Sequence, residues 1–318
     1  MRWLQWSPHD LSYGLGGVEV HARSVHRELL GFGVDSHLSS DPHRLDDSWD
    51  VIQTHGCGPL PEFSKRKAIR VHTLHGTTLG RVSACREWLW PGGYLAYGKE
   101  GLGVVRGDVI LGVHPGIHLL SLARLLGKKT AVCWNGWDSG QAEAGLPLEF
   151  KSKLDQFGSF FCFVGRGDDP VKNTPWIEKI LKSAPQMKLV AIPGEGFKAS
   201  EQILTSGLLN PSQIISVLRR SLGLLLCSHY EGLPLVVLEA LGWGIPVYTT
   251  EVGGLSYLSR ELQGLHLLPL EESVWKSALS SAKDLQGSVE RREWNRKLIP
   301  SWKEVARTVL EGVREVSG

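Results

Sequence analysis

The 318-residue sequence lacks several features, and each absence narrows the class of protein it can encode. Its five cysteines are widely scattered, which argues against a disulfide framework and against zinc sites of the Cys-x-x-Cys kind. No apolar run approaches the roughly 18 residues of a membrane-spanning helix, and we expect no secretory leader. A net charge of +2 gives no reason to expect nucleic-acid binding. Together these absences favour a cytoplasmic protein whose membrane contact, if any, is peripheral.

The regular features of the sequence are short apolar segments that alternate with amphipathic ones, as is typical of α/β domains with parallel sheets. Arg2–Trp6 is a predicted strand. Leu222–Cys227 is apolar at every position, which suits a strand covered on both faces. Residues 135–150 show no periodicity and hold many small and turn residues, so they form the predicted linker between two domains. The chain length accommodates two such domains.

Two segments in the first half carry candidate ligand-binding groups. Gly14-Leu15-Gly16-Gly17 lies between a predicted strand and a predicted helix, where glycines let backbone N–H groups approach a phosphate. An ordinary tight turn explains these glycines equally well. His75 lies at the end of a predicted strand, where a neutral imidazole can bind a ligand hydroxyl. A structural histidine is the commoner case at such a position.

A third candidate is the acidic, proline-containing loop in FFCFVGRGDDPVKN, between a predicted strand and a predicted helix. Arg166 and Lys172 flank this loop. Two cations there would neutralise a diphosphate and stabilise the charge that grows as it departs. The alternatives are two solvated loop charges, or an ion pair with Asp168 or Asp169.

The most informative segment is HYEGLPLVVLEALGWGIPV, in which Glu231 ends an apolar strand and Glu239 lies two turns into the following helix. The N-terminus of a helix after a buried strand presents free N–H groups to a cleft. Carboxylates on each side of such a pocket suit a phosphate-bearing ligand with hydroxyls. Pro234 has no N–H, so the donors would come from Leu233, Leu235 or Val236.

Four segments, GGVEVHARSVHREL, HGTT, VGRGDDPVKN and EGLPLVVLEALGWGIPVYTTEVGG, occur in this order. They resemble the retaining glycosyltransferases of the GT-B fold, and more narrowly glycosyltransferase family 4, from Gly16 to about Leu255. The resemblance implies an α/β fold in which two Rossmann-like domains with parallel sheets face a cleft. It implies an acceptor-side domain over 1–140, a nucleotide-sugar donor domain over 151–298, and a helix over 299–318 that crosses back.

The resemblance also implies roles for the matching residues. Gly16 and Gly17 would hold the donor diphosphate by backbone contacts, and His75 would contact the donor sugar. Arg166 and Lys172 would bind the diphosphate and support its departure.

In the carboxylate segment, the resemblance implies that Glu231 holds hydroxyls of the donor sugar and that Glu239 holds the ribose hydroxyls. Backbone amides would assist; the residues concerned are Gly232, Leu233, Leu235 and Val236.

The activity implied by the resemblance is transfer of a hexose, with retention, from a UDP- or GDP-sugar to a hydroxyl acceptor such as a glycan, a lipid or a small molecule. No cofactor is expected, and no metal, because the sequence has no Asp-x-Asp pair and the fold uses arginine and lysine in its place. A nucleotide-sugar epimerase, a phosphorylase and a non-catalytic sugar-nucleotide-binding module remain alternatives.

Three departures from the family pattern affect details. Asn173 stands where the family usually has glycine, and asparagine tolerates left-handed backbone angles. The short region between Gly194 and Pro211 leaves the nucleotide base open. Residues 86–98, REWLWPGGYLAYG, have no clear counterpart; stacking on acceptor sugars, contact with a membrane and ordinary packing are all consistent with this aromatic segment.

Overall fold

The computed structural model describes residues 1–11, 16–46, 48–56, 68–87, 91–138, 143–258, 260–284 and 288–317. Some predicted features lie outside these residues. They are Gly14 and Leu15 of the glycine turn, 88–90 of the aromatic segment and 139–142 of the linker.

The first domain is a parallel sheet of six strands with helices on its faces. Strand order is β2-β1-β3-β4-β5-β6, and the register is parallel at each pairing. In chain order its elements are β1 Arg2–Trp6, α1 Gly17–Gly31, β2 Asp35–Ser39, β3 Val51–His55, β4 Ile69–Leu74, α2 Thr78–Cys85, α3 Pro91–Arg106, β5 Val109–Gly112, α4 His118–Leu125 and β6 Lys129–Val132.

The second domain repeats this architecture. Its six parallel strands have the order β12-β11-β10-β7-β8-β9. Its elements are α5 Leu148–Phe157, β7 Phe161–Gly165, α6 Thr174–Ser183, β8 Leu189–Pro193, β9 Ile203–Thr205, α7 Pro211–Leu218, β10 Leu224–Leu226, α8 Leu235–Gly242, β11 Val247–Thr249, β12 Leu265–Leu267, α9 Glu272–Ser280, α10 Val289–Asn295 and α11 Trp302–Ser317.

Strand β10 shows why the apolar run at 222–227 folds as a central strand. Leu224 and Leu226 pack into a core cluster on one face of the sheet, while Leu225 packs into another cluster on the opposite face. All three side chains are at most 2% exposed. A strand buried on both faces needs apolar side chains in both alternating directions, as predicted.

The last helix, α11, packs against the first domain although it follows the second in the chain. Its apolar stripe, including Val305, Val309 and Val313, joins the core cluster that holds Trp3 and Leu29 of the first domain. This helix therefore ties the two domains together.

Some element boundaries differ from the sequence prediction. The sequence pattern from about residue 289 to 316 predicts one helix, but the structure has two, α10 and α11. Pro300 lies between them, and proline is not accommodated in a helix interior. Strand β2 and helix α3 were not predicted from periodicity. Helix α3 begins inside the aromatic segment at Pro91, with proline at a position where its missing N–H costs nothing.

Candidate functional site

A cavity of about 330 Å³ lies between the two domains, at the carboxyl ends of strands from both sheets. Ligands of open α/β sheets bind at this edge because the loops that follow the strands converge there. The cavity is lined by Gly56, Leu74, His75, Gly76, Thr77, Thr78, Arg81 and Glu100 of the first domain, and by Arg166, Asp169, Val171, Lys172, Tyr230, Glu231 and Gly232 of the second.

Lys172 and Glu231 meet in this cavity, although 59 residues separate them in the chain. The Lys172 ammonium donates a hydrogen bond to Glu231 Oε1 at 2.7 Å, and the Ser228 hydroxyl donates to the same oxygen at 2.7 Å. Both charged side chains are largely enclosed, with 20% and 12% exposed. A pair this sheltered is held in a defined geometry rather than left to solvent.

The loop that carries Lys172 has a backbone shape that explains the residue after it. Asn173 takes left-handed angles, with φ 51° and ψ 43°, and ends a 3-10 turn over Pro170–Lys172. Asparagine tolerates this conformation, as the sequence analysis predicted for the position where the family usually has glycine. The turn directs Lys172 toward the cavity.

Arg166 and Arg81 both bind Asp169, and one of these pairs joins the two domains. Arg166 Nη2 lies 3.2 Å from Asp169 Oδ2, but its side chain is 75% exposed. Arg81 of helix α2 lies 3.0 Å from Asp169 Oδ1. Burial opposes ionisation of Asp169, yet hydrogen bonds from Arg81 and from the Val171 N–H lower its pKa below the usual value. Of the two alternatives considered for Arg166, the ion pair with Asp169 is present.

His75 belongs to a group of three histidines at the edge of the first sheet. Its Nε2 lies 3.1 Å from His55 Nδ1, and His55 Nε2 lies 2.5 Å from Gln5 Oε1. The ring of His21 stands edge-on to His75, with centroids 4.7 Å apart. Burial, together with the neighbouring imidazoles, holds the pKa of His75 well below its usual value. His75 is therefore neutral at pH 7 and lines the cavity.

The loop of Tyr230 and Gly232 interlocks with the end of strand β4 and the start of helix α2. The Thr77 N–H donates to the Tyr230 hydroxyl at 2.6 Å, which gives a hydrogen bond between the domains. Gly232 lies so close to the carbonyl oxygen of His75 that a Cβ on it would overlap that atom. Glycine is needed at 232 because two backbones from different domains touch there.

The N-termini of helices α1 and α8 lie close together, with Gly17 next to Leu235. Gly16 is the N-cap of α1 without a side-chain hydrogen bond, and Pro234 is the N-cap of α8, also without one. A Cβ on Gly17 would lie 3.8 Å from Leu235 Cδ1. The first N–H groups of each helix have no backbone acceptor within their own helix, so the space between them favours negative charge, and the Glu19 carboxylate already lies beside Gly16 there.

Leu233 and Val236 flank this start of α8 and have different surroundings. The Leu233 carbonyl accepts a hydrogen bond from Asn135 Nδ2 at 2.6 Å, another polar link between the halves of the molecule. Val236 is partly buried against the large core cluster.

Glu239 lies one helical turn after Leu235 on α8, so the two side chains share the face that meets the first domain. The residue as a whole is partly buried, and burial of its carboxyl group raises the pKa to about 7. No hydrogen-bond or ion-pair partner of the Glu239 carboxylate is found among the residues that the structure describes. A carboxylate that is desolvated and unpartnered is costly unless a ligand binds it.

Glu100 of helix α3 closes the first-domain side of the cavity. Both of its carboxylate oxygens accept from the Thr78 N–H at 3.0 Å, and one accepts from the Thr78 hydroxyl at 2.7 Å. Burial raises the pKa of Glu100, and the hydrogen bonds from Thr78 lower it in part. This carboxylate occupies the N-terminus of α2, where a bound anion would otherwise lie.

The cavity brings together five of the predicted site residues and leaves the others around it. His75, Arg166, Lys172, Glu231 and Gly232 line it. The remaining predicted residues, Gly16, Gly17, Leu233, Leu235, Val236 and Glu239, lie outside its lining, at and around the neighbouring helix N-termini.

Sequence reasoning missed residues that act through contacts between domains. Tyr230 is next to Glu231 in the chain, and Asp169 was considered only as an ion-pair partner within its own loop, so the positions of both were a usable signal. No such signal marks Arg81 or Glu100, because the periodicity of a helix does not show which of its charged residues faces a neighbouring domain.

The chain was compared with known families and known structures. Residues 195–294 match the family Glycosyl transferases group 1. Glu231 and Glu239 fall inside this match, whereas His75, Arg166 and Lys172 lie before it. No curated protein matches the chain.

Solved structures match over almost the whole chain. Sucrose-phosphate synthase from Thermosynechococcus elongatus has a TM-score of 0.72 at 15% identity, with 99% of each chain covered. Anabaena HepE in complex with UDP has a TM-score of 0.68 at 14% identity, covering 99% of this chain and 100% of that one. The structure described as trehalose-6-phosphate from E. coli bound with UDP-2-fluoro glucose has a TM-score of 0.69 at 13% identity, with 99% of each covered. At these identities the shared feature is the fold, which is GT-B, as the resemblance predicted.

Proposed function

We propose that this protein is a retaining glycosyltransferase that moves a hexose from a nucleotide diphosphate sugar to a hydroxyl group of a neutral acceptor. The observation that carries this proposal is the arrangement around one cleft: the Lys172–Glu231 pair of the second domain lies in the same cavity as His75 of the first. The match of residues 195–294 to the group 1 glycosyl transferases supports it.

When the donor binds, its diphosphate replaces Glu231 as the partner of Lys172. The anion competes with Glu231 for the Lys172 ammonium, and the free N–H groups of α8 and α1 add favourable partial charge on both sides. Arg166 is mostly exposed, and it can exchange its ion pair with Asp169 for one with the departing diphosphate. Positive charge at the leaving group stabilises the transition state more than the ground state.

Release of Glu231 from Lys172 leaves its carboxylate to accept hydrogen bonds from hydroxyls of the donor sugar. His75 contributes a neutral imidazole on the opposite side of the sugar. Both groups then orient the reacting carbon rather than attack it.

The engagement of the cavity carboxylates favours retention by front-face attack, in which the leaving phosphate helps to deprotonate the acceptor. The three carboxylates in the cavity lining belong to Glu100, Asp169 and Glu231. Glu100 is bound by Thr78 and Asp169 by two arginines, and Glu231, once the donor displaces it from Lys172, is engaged by hydroxyls of the donor sugar. A covalent nucleophile needs an unengaged carboxylate next to the sugar carbon.

We propose a UDP-sugar as the first donor to test. HepE was solved with UDP and the E. coli structure with UDP-2-fluoro glucose. Glu239 is assigned to the ribose hydroxyls, which would satisfy its unpartnered carboxylate. A GDP-sugar remains the second choice, and we expect neither a cofactor nor a metal to be required.

The acceptor is expected to be uncharged where it approaches helix α2. The N-terminus of α2 is already capped by the Glu100 carboxylate, and Arg81 is bound to Asp169 and Glu87. The helix N-terminus and the arginine that could bind a phosphate on the acceptor are therefore already occupied by carboxylates. Parallel assays with a neutral sugar and the corresponding sugar phosphate test this, and equal or faster transfer to the phosphate would contradict it.

The central experiment measures nucleotide diphosphate release with UDP- and GDP-sugars, alone and with candidate acceptors. A thermal-shift panel selects the donor first, since a bound ligand stabilises the folded protein by mass action. Lys172→Ala and Glu231→Gln are expected to lower kcat by roughly 10²–10³-fold. Lys198→Ala, an exposed lysine of the same domain, is the matched control and should leave the rate unchanged. Full rates in both cavity variants would remove the pair from the mechanism.

Product analysis separates the proposal from its alternatives. NMR of the product should show the anomeric configuration of the donor; inversion would refute retention. An epimerase would convert the donor without an acceptor and leave the diphosphate bonded to the sugar. A phosphorylase of this fold would show pyridoxal phosphate absorbance, and a binding module would shift the melting temperature without turnover.

We further propose that the protein works in the cytoplasm with peripheral membrane contact through helix α3. None of the described helices is long and apolar enough to cross a membrane. On α3, Tyr94, Leu95 and Val105 are 48%, 63% and 53% exposed. Flotation with anionic vesicles should recover the protein, and Leu95→Asp should reduce the recovery. Equal flotation of the variant would contradict a role for α3.

A further inference from the structure

Three histidines of the first domain bring one ring nitrogen each into a common space. The nitrogens of His21, His55 and His75 lie within 4.8 Å of one another. The three rings come from helix α1, the last residue of strand β3 and the residue after strand β4. His21 and His55 have no exposed surface, and His75 separates them from the donor cavity.

The tautomer of His21 follows from its neighbours. Asn135 Nδ2 donates to the Leu233 carbonyl at 2.6 Å, which fixes the orientation of the Asn135 amide. Asn135 Oδ1 therefore faces His21 Nδ1 at 2.7 Å, and Nδ1 carries the proton. The lone pair of His21 Nε2 is left fully buried, with no hydrogen-bond donor among the described residues.

An orphaned, fully buried acceptor is costly and calls for an explanation. Here the nitrogen belongs to a ring whose other nitrogen is held by an amide oxygen. This is the arrangement of histidines that bind metals, because the second hydrogen bond fixes the tautomer and the ring orientation.

His55 is held in the same way, but with the roles of its two ring nitrogens exchanged. Its Nε2 is held by Gln5 Oε1 at 2.5 Å, which leaves Nδ1 directed at His75 Nε2, 3.1 Å away. Two nitrogens bound to a tetrahedral zinc ion at about 2.0 Å each lie roughly 3.3 Å apart. The His55–His75 separation thus needs almost no change to accommodate an ion.

We propose that His21, His55 and His75 bind one divalent transition-metal ion of the zinc class. Imidazole nitrogens suit zinc, cobalt, nickel and copper, whereas the absence of a carboxylate from these three ligands disfavours magnesium and calcium. Three histidines leave one coordination position for water. The proposed metal site does not depend on the proposed transferase activity, because the three ligands and the amides that orient them are all side chains of this protein.

A bound ion would link the site to the cleft. His75 lines the donor cavity, and Asn135 joins His21 to the Leu233 carbonyl just before helix α8. The ion therefore fixes the ring of His75 and, through Asn135, stabilises contact between the two domains.

The test uses the full chain without a histidine tag, stripped with a chelator and titrated with Co²⁺ and Zn²⁺. We expect one Co²⁺ per chain, with the intense visible bands of four-coordinate cobalt, displaced by one equivalent of Zn²⁺. His21→Gln and His75→Gln are expected to weaken binding by roughly 100-fold or more, since changes even to orienting groups cost 10–100-fold. His43→Gln, an exposed histidine of the same domain, is the matched control and should bind as the parent does.

Several results would overturn the site. They are the absence of stoichiometric binding to the unaltered protein, a weak octahedral cobalt spectrum, or equal binding by His75→Gln. His75 is less buried than His21, so this variant keeps the test decisive if His21→Gln fails to fold. Because the readout needs no donor, a failed metal site would leave the proposed transferase activity to be judged by its own assay.

Discussion

Replacement of Glu239 by glutamine should stabilise the folded protein at high pH and not at low pH. Glu239 is partly buried on α8, lacks a partner among the described residues, and has a pKa raised by burial to about 7. Glutamine keeps the size and removes the charge that burial penalises.

The size and sign follow from linkage between proton binding and folding. The folded-state pKa rises from 4.5 to about 7, and each pKa unit corresponds to about 1.4 kcal/mol. The shift gives roughly 3 kcal/mol, which partial solvent access reduces to roughly 2. A raised folded-state pKa means that this stability is fully present below pH 4.5 and is lost as the pH rises through 7. The variant should therefore equal the wild type near pH 4.5 and exceed it at pH 8.

Scanning calorimetry at pH 5 and pH 8 measures the effect directly. At roughly 2 °C per kcal/mol for a chain of this size, the variant should melt about 4 °C higher at pH 8. Glu201→Gln, an exposed glutamate of the same domain, is the control and should show no such gain. A destabilised variant at pH 8, or a difference in melting temperature that does not change with pH, would refute the reasoning. If Glu239 holds the ribose, the same variant should also bind the nucleotide more weakly.

Two further variants test the closed cleft. Tyr230→Phe removes the hydroxyl that accepts the Thr77 N–H between the domains. We expect the free energy of unfolding to fall by about 1 kcal/mol and the KM for the donor to rise. An unchanged KM and melting temperature would count against the contact. Arg81→Met removes the partner that helps to lower the pKa of Asp169. A carboxyl group whose pKa is lowered in the folded state contributes stability above its unfolded-state pKa of about 3.8, and this stability is lost as the pH falls through the folded-state pKa. The variant should therefore be less stable than the wild type at pH 7 and approach its stability at acidic pH.

Local chemistry explains how much of this site could be predicted from the sequence. His75, Lys172 and Glu231 each follow a recognisable strand, and the carboxyl ends of parallel strands meet at one edge, so their convergence could be expected. Tyr230, Arg81 and Asn135 could not be assigned in the same way. Their roles come from partners that are 88 to 153 residues away in the chain, and no local pattern encodes such a pairing.

By itself, the sequence determined the two-domain α/β architecture, the covered strand at Leu224–Leu226 and the left-handed turn at Asn173, because burial and backbone sterics act over a few neighbouring residues. The tertiary structure alone decided that Glu231 takes Lys172 as its partner, that the Glu239 carboxylate has no partner among the described residues, and that three histidine rings share one buried space. Charges and imidazoles change their behaviour with desolvation and with neighbours a few ångströms away. Those distances are set when the two sheets and helix α11 pack together.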